Sequence, residues 1–304
     1  MPSLRAFARV TACRLVVTQP DRPSGRGQRL TPTPVKVAAS ELGIATIEPV
    51  KLRDALETLR ETQADLFAVA SYGKIVSQSV LDLPRYGALN VHPSLLPLYR
   101  GATPLQAQIR DGLTTGGVSL ILMDAGMDSG DIVLQERITI GPEETYGELH
   151  DRCAEIGAGL LAKASAQAIE GSLERTPQAG LADPEEIAAT LTRPLTGAGL
   201  DLNWNWPTKR IVDFVRSLAP SPSARAPLAG ERVKILRAAV ATGGSTAFPV
   251  PPDSGPGSLV AVVGDAAIVM GGDGFVAVDR LVPPNRSAMS GAAFATPLLS
   301  KDVT

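Results

Sequence analysis

The chain is poor in the residues that would point to a metal, a disulfide framework or a membrane. It has two histidines, His92 and His150, and two cysteines, Cys13 and Cys153. The cysteines are far apart and match no metal-ligand spacing, so a zinc-type site is not expected. Both read as reduced thiols of a cytoplasmic protein. No apolar run approaches the length of a bilayer span, and the N-terminus lacks a basic segment followed by an apolar one, so no membrane is expected. Aromatic residues are scarce at 4 %, yet hydrophobics reach 44 %, an ordinary share for a globular protein. Excess charge is lacking too, but the small total hides an asymmetry. From Pro207 onward there are ten Lys/Arg against seven Asp/Glu, a net of +3, which leaves −5 for the rest of a chain whose total is −2. A positive C-terminal part on an acidic body hints at a polyanionic partner.

What is present divides at a composition shift. The 304 residues are enough for two ordinary domains. Up to about residue 175, short apolar runs alternate with helical patterns, which points to a parallel sheet with crossover helices. Strands are expected at 13–18, 65–70, 87–92, 118–123 and 132–138, and helices at 35–42 and 52–60. Thr145 and Glu148 have capping-box spacing and open a long helix reaching about Glu170. His150 lies in its first turns, where a surface or packing role is expected. Residues 176–206, with Pro177, Pro194 and several glycines, read as a linker. Within it Asp183-Pro184-Glu185-Glu186 starts one short helix. After Pro207 comes a helix with Ile211, Phe214, Val215 and Leu218 on one face, then short runs separated by Gly and Pro, the spacing of a small all-β barrel. The expected organisation is a catalytic domain over 1–175, a linker over 176–206 and a barrel over 207–304.

The most informative stretch is Asn90-Val91-His92-Pro93-Ser94-Leu95-Leu96-Pro97, followed by Tyr99-Arg100-Gly101 and later by Gly126-Met127-Asp128. Side chains alternate along a strand, so Asn90 and His92 project to the same side. Pro93 ends the strand and leaves both groups near its C-terminal end, where sites in open α/β sheets sit. A nucleophilic role for Ser94 is disfavoured, because no glycines of a nucleophile elbow surround it. A second feature is the loop from Pro20 to Pro34. It carries Arg22, Arg26 and Arg29, with Lys36 just beyond, and no acidic residue lies between Arg22 and Glu41. Interleaved Pro and Gly argue against helix or strand there, and such a loop can follow a phosphate backbone.

With Val17-Thr18-Gln19-Pro20-Asp21-Arg22-Pro23-Ser24-Gly25-Arg26-Gly27 and Ser71-Tyr72-Gly73-Lys74-Ile75, these motifs make the sequence resemble the methionyl-tRNA formyltransferase family over nearly its whole length. The resemblance implies an α/β fold, a Rossmann-like domain with a parallel-rich sheet followed by a small OB-like β-barrel. It implies transfer of a formyl group from 10-formyltetrahydrofolate to the α-amine of initiator methionyl-tRNA, with no metal and no DNA, by a monomer. Asn90, His92 and Asp128 would be catalytic: an amide for the oxyanion, an imidazole for the proton and a carboxylate to orient it. Ser94, Leu95, Leu96 and Pro97, with Ile75 and Val76, would line the folate pocket. Arg22, Arg26, Arg29, Lys36, Lys209, Arg216, Lys234 and Arg237 would meet the tRNA. The wider folate-dependent class shares the three catalytic residues; the basic loop and the barrel are what favour the tRNA enzyme.

Three other readings stay open. One is a formyltransferase acting on glycinamide ribonucleotide or an amino-sugar nucleotide. Another is a formyl-folate hydrolase, with water in place of the amine. The third is a catalytically impaired tRNA-binding protein, which arises from the N-terminus. The family begins with an apolar strand and a Gly-Thr-Pro-like turn, whereas Met1-Pro2-Ser3-Leu4-Arg5-Ala6-Phe7 reads as already inside the following helix. On that reading the chain as written is expected to fold poorly, with its barrel soluble alone, and codons upstream would encode the strand.

Overall fold

A computed structural model describes residues 1–24, 29–242, 248 and 250–300. Its contacts divide the chain into two units, one of 1–104, 115–139 and 150–192, the other of 105–114, 140–149 and 193–304.

The first unit is a layered α/β structure. Its elements begin with helix α1 (Pro2–Val10), β1 (Leu15–Val17), β2 (Arg22–Ser24), β3 (Arg29–Thr31), α2 (Pro34–Glu41), β4 (Ala45–Ile47), α3 (Leu56–Glu61), β5 (Phe67–Ala70), α4 (Gln78–Leu81) and β6 (Ala88–His92). They continue through α5 (Pro104–Arg110), β7 (Thr115–Leu122), β8 (Ile132–Thr139), α6 (Tyr146–Glu170) and α7 (Pro184–Ala189); α5 beyond Pro104 and the first turn of α6 belong to the second unit. Helix α2 starts where Thr33 accepts a hydrogen bond from the Lys36 amide and Pro34 fills the first position, a pre-set start. Strand β1 pairs in parallel with β4, and β5 with β6. Strands β7 and β8 then run antiparallel, giving a four-stranded order β5-β6-β7-β8. Leu89 and Leu120 on β6 and β7 pack with Leu161, Ala164 and Ala168 of α6, all buried. Gly157 lets α6 approach β6, since a Cβ there would lie 2.4 Å from the Val91 side chain.

In the first unit two features depart from the sequence expectation. The loop from Pro20 to Pro34 is not free of strand: β2 and β3 pair antiparallel, with Pro23 opposite Leu30. A two-stranded ribbon is all edge, and an edge tolerates the missing proline N–H. The stretch expected as a linker is hydrogen-bonded into the first unit as far as Thr192. Thr176 and Ile132 exchange two backbone bonds of 2.8 Å, Asp183 caps α7, and the Thr192 amide donates to the Arg100 carbonyl at 2.8 Å.

The second unit holds α8 (Thr208–Leu218), β9 (Ala224–Leu228), β10 (Glu231–Val240), β11 (Leu259–Val263), β12 (Ala266–Met270), β13 (Phe275–Val282), β14 (Met289–Ser290) and α9 (Gly291–Leu299). The strands form one antiparallel sheet in the order β11-β12-β13-β10-β9, with β14 on β13. The expected face of α8, Ile211, Phe214, Val215 and Leu218, is buried with Val233, Ile235, Val276, Val278 and Leu281 of the sheet. The capping pair behaves as its spacing implies: Glu148 accepts from the Thr145 amide at 2.9 Å. Strand β9 and helix α9 were not foreseen, because each contains a proline, Pro227 and Pro297. Proline is tolerated in β9 because that strand ends the sheet.

Helix α8 itself carries a buried ion pair. Arg216 Nε donates to Asp213 at 2.8 Å, and its other nitrogens donate to the carbonyls of Gly141, Glu144 and Ile109 at 3.2, 3.1 and 3.4 Å. Both side chains are less than one-tenth exposed. Removing one partner of such a pair strands the other charge, which typically destabilises by about 3–5 kcal/mol. Arg216→Ala is therefore expected to lose stability of that order in urea unfolding. A loss under about 1 kcal/mol, the range of a surface pair, would contradict the buried network.

Candidate active site

The site grows out of the last strand positions of β6 and the turn that follows. Asn90 and His92, two residues apart, share a face of the strand, as its pleat requires. His92 is 4 % exposed, whereas Asn90 is half-buried. The Asn90 side-chain amide makes no hydrogen bond among the described residues, so its donors remain open to a ligand.

The imidazole of His92 is fixed by the backbone of the turn. Its Nε2 lies 2.9 Å from the Tyr99 carbonyl oxygen. A carbonyl only accepts, so Nε2 carries the proton and Nδ1 is the free base. Nδ1 faces the Asp128 carboxylate at 3.6 Å. That is too long for a hydrogen bond but well placed for an ion pair once Nδ1 is protonated. Asp128 is held in turn, its Oδ2 accepting from the Gly101 amide at 2.8 Å. Tyr99 and Asp128 both lie in the left-handed region, at φ +57° and +51°. For an aromatic residue such a backbone is uncommon and persists only when its surroundings enforce it.

Asp128 does not arrive by simple hairpin geometry. The loop leaves β7 level with Ala88, where the Met123 amide donates to the Ala88 carbonyl at 2.8 Å. His92 lies four residues further along β6, so the loop must fold back along the strand to present its carboxylate.

Burial pushes the His92 imidazole below its usual value of about 6.5. Asp128 and the Tyr99 carbonyl pull the other way, and Arg100 adds to the depression. The imidazole is neutral at pH 7, a proton acceptor in waiting.

The other expected site residues fall into distinct environments. Ser94, Leu96 and Pro97 are buried, and the Ser94 hydroxyl donates to the Leu98 carbonyl at 2.7 Å. Leu96 packs with Ile121 and Ile132. Their side chains build the core, so contact with a ligand would come from their backbone. Leu95 is half-buried, Val76 packs against a core cluster, and Ile75 is 92 % exposed. Arg22 is exposed on β2; Arg29 lies on β3, and Arg26 lies outside the described residues. Lys36 corrects the expectation of a free phosphate contact: Asp21 and Glu48 clamp its ammonium at 2.9 and 2.6 Å. Arg216 needs the same correction, because its buried guanidinium is taken up by Asp213 and three carbonyls. In the second unit Lys209 pairs with Asp213 at 2.6 Å, Lys234 is exposed, and Arg237 is 69 % exposed with Glu143 at 3.6 Å. The sequence reading quoted Tyr99 and Gly101 in its motif but gave them no part in the site, because they act through backbone atoms. Only the left-handed demand on Gly101, at φ +106°, left a sequence trace, as a glycine.

Comparison with known proteins gives the chain a family. The family described as formyl transferase matches residues 5–164, and its C-terminal domain matches 198–298. A methionyl-tRNA formyltransferase of Moorella thermoacetica is 38 % identical over 298 residues, 97 % of this chain and 91 % of that protein. One from Xanthomonas oryzae is 40 % identical over 295 residues, 96 % and 92 % of the two. Among solved structures, HypX from Aquifex aeolicus in complex with tetrahydrofolic acid superposes with a TM-score of 0.63 at 17 % identity, over 94 % of this chain and 47 % of that one. A Helicobacter canadensis N-formyltransferase, in complex with folinic acid and dTDP-3-aminofucose, gives 0.61 at 17 %, over 91 % and 93 %. At that identity the two structures speak for the fold alone.

A depressed histidine has a definite pH signature. The folded chain binds this proton less readily than the unfolded chain, so stability rises with pH through the histidine range and declines below about 6.5. With only two histidines present, the ring signals are simple to assign by NMR. The His92 midpoint is expected below that of an exposed histidine, and a midpoint above it would show that Asp128, not burial, prevails.

Proposed function

The chain belongs to the formyl transferase family, and we propose that it transfers a formyl group from 10-formyltetrahydrofolate to the α-amine of methionine esterified to initiator tRNA, supporting translation initiation in the cytoplasm. The observation that carries this is the buried His92, neutral and with Nδ1 free beside Asp128, on the same strand face as an open Asn90 amide. The relatives of nearly equal length named methionyl-tRNA formyltransferase favour this acceptor.

The donor supplies the formyl carbon and a nitrogen able to leave. Everything else is asked of the chain. An α-amine with a pKa near 8 is partly neutral at pH 7 and can attack unaided. As its nitrogen bonds to the formyl carbon it becomes cationic, and His92 Nδ1 takes its proton. The imidazolium then lies between the Tyr99 carbonyl and the Asp128 carboxylate, which stabilises it. Asn90 Nδ2–H donates to the oxygen that turns negative, a contact typically worth about 3 kcal/mol in the transition state. When the carbon–nitrogen bond to the donor breaks, its electron pair stays on the donor nitrogen and His92 returns the proton.

The residues fit a folate. Ile75, almost fully exposed on the loop after β5, is an apolar surface for a flat ring. That loop leaves the sheet beside β6, since Ala70 pairs with Val91. Nearby, the buried Tyr72 hydroxyl and Gln19 Oε1 have no hydrogen-bond partner among the described residues, polar groups suited to a heterocycle edge. For the tRNA, the exposed Arg22 on the β2–β3 ribbon, Lys209 on α8, and Lys234 and Arg237 on β10, in a sheet we read as an OB-type barrel, supply charge for a phosphate backbone, and Arg26 of the basic loop is expected to add to it.

Assays with formyl-folate and methionyl-tRNA, glycinamide ribonucleotide, an amino-sugar nucleotide or no acceptor test the reading directly. Formylation is expected with the tRNA alone; turnover with no acceptor would make the chain a hydrolase. His92→Ala and Asn90→Ala should each lower kcat by about 100-fold or more, non-additively, with tRNA binding near normal. Wild-type turnover by His92→Ala would remove the mechanism. Arg26→Ala should weaken use of methionyl-tRNA and shallow the salt dependence of binding without changing folate affinity. Unaltered tRNA formylation by that variant would leave the basic ribbon without a part in recognition.

A further inference from the structure

Asp128 reaches His92 only because its loop folds back along β6, and something must hold it there. The described contacts trace that hold to the stretch between Thr176 and Thr192. Gln178, near its start, is 4 % exposed. Its Nε2 donates to the Asp128 carbonyl at 2.9 Å and to the Gly130 carbonyl at 2.7 Å. Its Oε1 accepts from Arg100 Nη2 at 2.6 Å and from Arg100 Nε at 3.2 Å. One amide thus joins the loop that carries the carboxylate to the turn that carries the histidine's partner.

The rest of the stretch grips the same turn. Thr190 Oγ1 accepts from the Tyr99 amide at 3.3 Å. Thr192 donates from both its amide and its hydroxyl to the Arg100 carbonyl, at 2.8 and 2.9 Å, and its Oγ1 accepts from the Thr103 amide at 3.0 Å. Gly101 is pressed so close to Thr192 that a Cβ would lie 2.2 Å from the Thr192 carbonyl oxygen. The anchored backbone groups are those the site needs: the Tyr99 carbonyl that fixes His92 and the Gly101 amide that fixes Asp128. Both left-handed residues, Tyr99 and Asp128, are among those held.

We propose that Gln178 is a positioning residue for the formyl-transfer step, setting the separation of Asp128 from His92 by tying the Asp128–Gly130 carbonyls to Arg100. It touches neither reacting group. The inference rests on the proposed transferase reading, but its geometry can be tested apart from that reading. A residue that merely supports the fold would affect unfolding and not the histidine. A positioning residue moves kcat, leaves KM alone, and alters how His92 titrates.

The test uses the full chain with Gln178→Ala and Gln178→Glu. Alanine removes both halves of the amide. Glutamate keeps an acceptor for Arg100 but has no donor for the two carbonyls. Both variants are expected to lower kcat, alanine by about 100-fold, the scale of a misplacement near 1 Å, with KM for folate and methionyl-tRNA unchanged. With Asp128 released, its pull on the imidazole weakens, so the His92 NMR midpoint should fall further below the wild-type value in both variants. His150→Gln assigns the two histidine signals. Wild-type kcat and an unmoved His92 midpoint in either folded variant would overturn the proposal. So would a full rescue by glutamate, because the donor half would then be idle. If the alanine variant does not fold, the glutamate variant, which keeps the shape and the acceptor for Arg100, decides. If the wild-type chain transfers no formyl group to tRNA, the functional reading fails, and the titration still judges the positioning role.

Discussion

The hydrogen bond from His92 Nε2 to the Tyr99 carbonyl is the constraint on which the site depends. It is a contact between a side chain and a backbone atom, within a buried region, and it decides which nitrogen is the base. Without that acceptor the buried N–H would be left unpaired at a cost of about 1–3 kcal/mol, and the tautomer would be free to invert. With it, the lone pair is aimed at one place. The price is a tyrosine held in a left-handed backbone, with its ring buried, and the turn around it must be over-determined. The surrounding hydrogen bonds, to Thr190, Thr192 and Asp128, supply that determination.

The sheet explains why so much of the chain is recruited. Strand β6 offers two side chains on one face but no third polar group. The carboxylate has to come from elsewhere, and the β7–β8 loop starts four residues short of His92. A chain segment folding back over such a distance has few ladder bonds of its own. It is held by side chains that take the place of a ladder, and the stretch after α6 provides them. This is why residues past the long helix, which look like a connection, pack into the first unit.

What the sequence revealed, and what it hid, follow the same division. The strand alternation placed Asn90 and His92 on one face, the apolar spacing set the buried side of α8, and Thr145 with Glu148 marked a helix start. These are local rules with periods of a few residues. Gln178 was invisible, because a glutamine between Pro177 and an Ala-Gly pair has no pattern that marks it as buried. Tyr99 acts through its carbonyl, an atom every residue possesses. Arg216 and Lys36 were misread for one reason: a positive side chain is assumed to face solvent, and beside the nearer Asp213 and Asp21 the partners that complete their engagement, the carbonyls of Gly141, Glu144 and Ile109 and the Glu48 carboxylate, are remote in sequence. The β2–β3 ribbon was missed because proline was weighed as a strand breaker without regard to edges.

The electrostatic balance at His92 shows how narrow the tolerances are. Two unit charges 4 Å apart interact by about 4 kcal/mol at an effective dielectric of 20, and one unit of pKa is about 1.4 kcal/mol. The attraction of Asp128 for an imidazolium is therefore of the same order as the burial that opposes it, and burial prevails. A base depressed too far would be a weak proton acceptor, and one raised too far would be occupied by a proton already. The useful setting lies between, fixed by a 3.6 Å separation that no direct hydrogen bond maintains. Because His92 and Asp128 do not hold each other, the separation is inherited from their backbones. In the transfer we propose, the rigidity of the turn and the loop, and hence of the amide that joins them, becomes part of the acid–base chemistry.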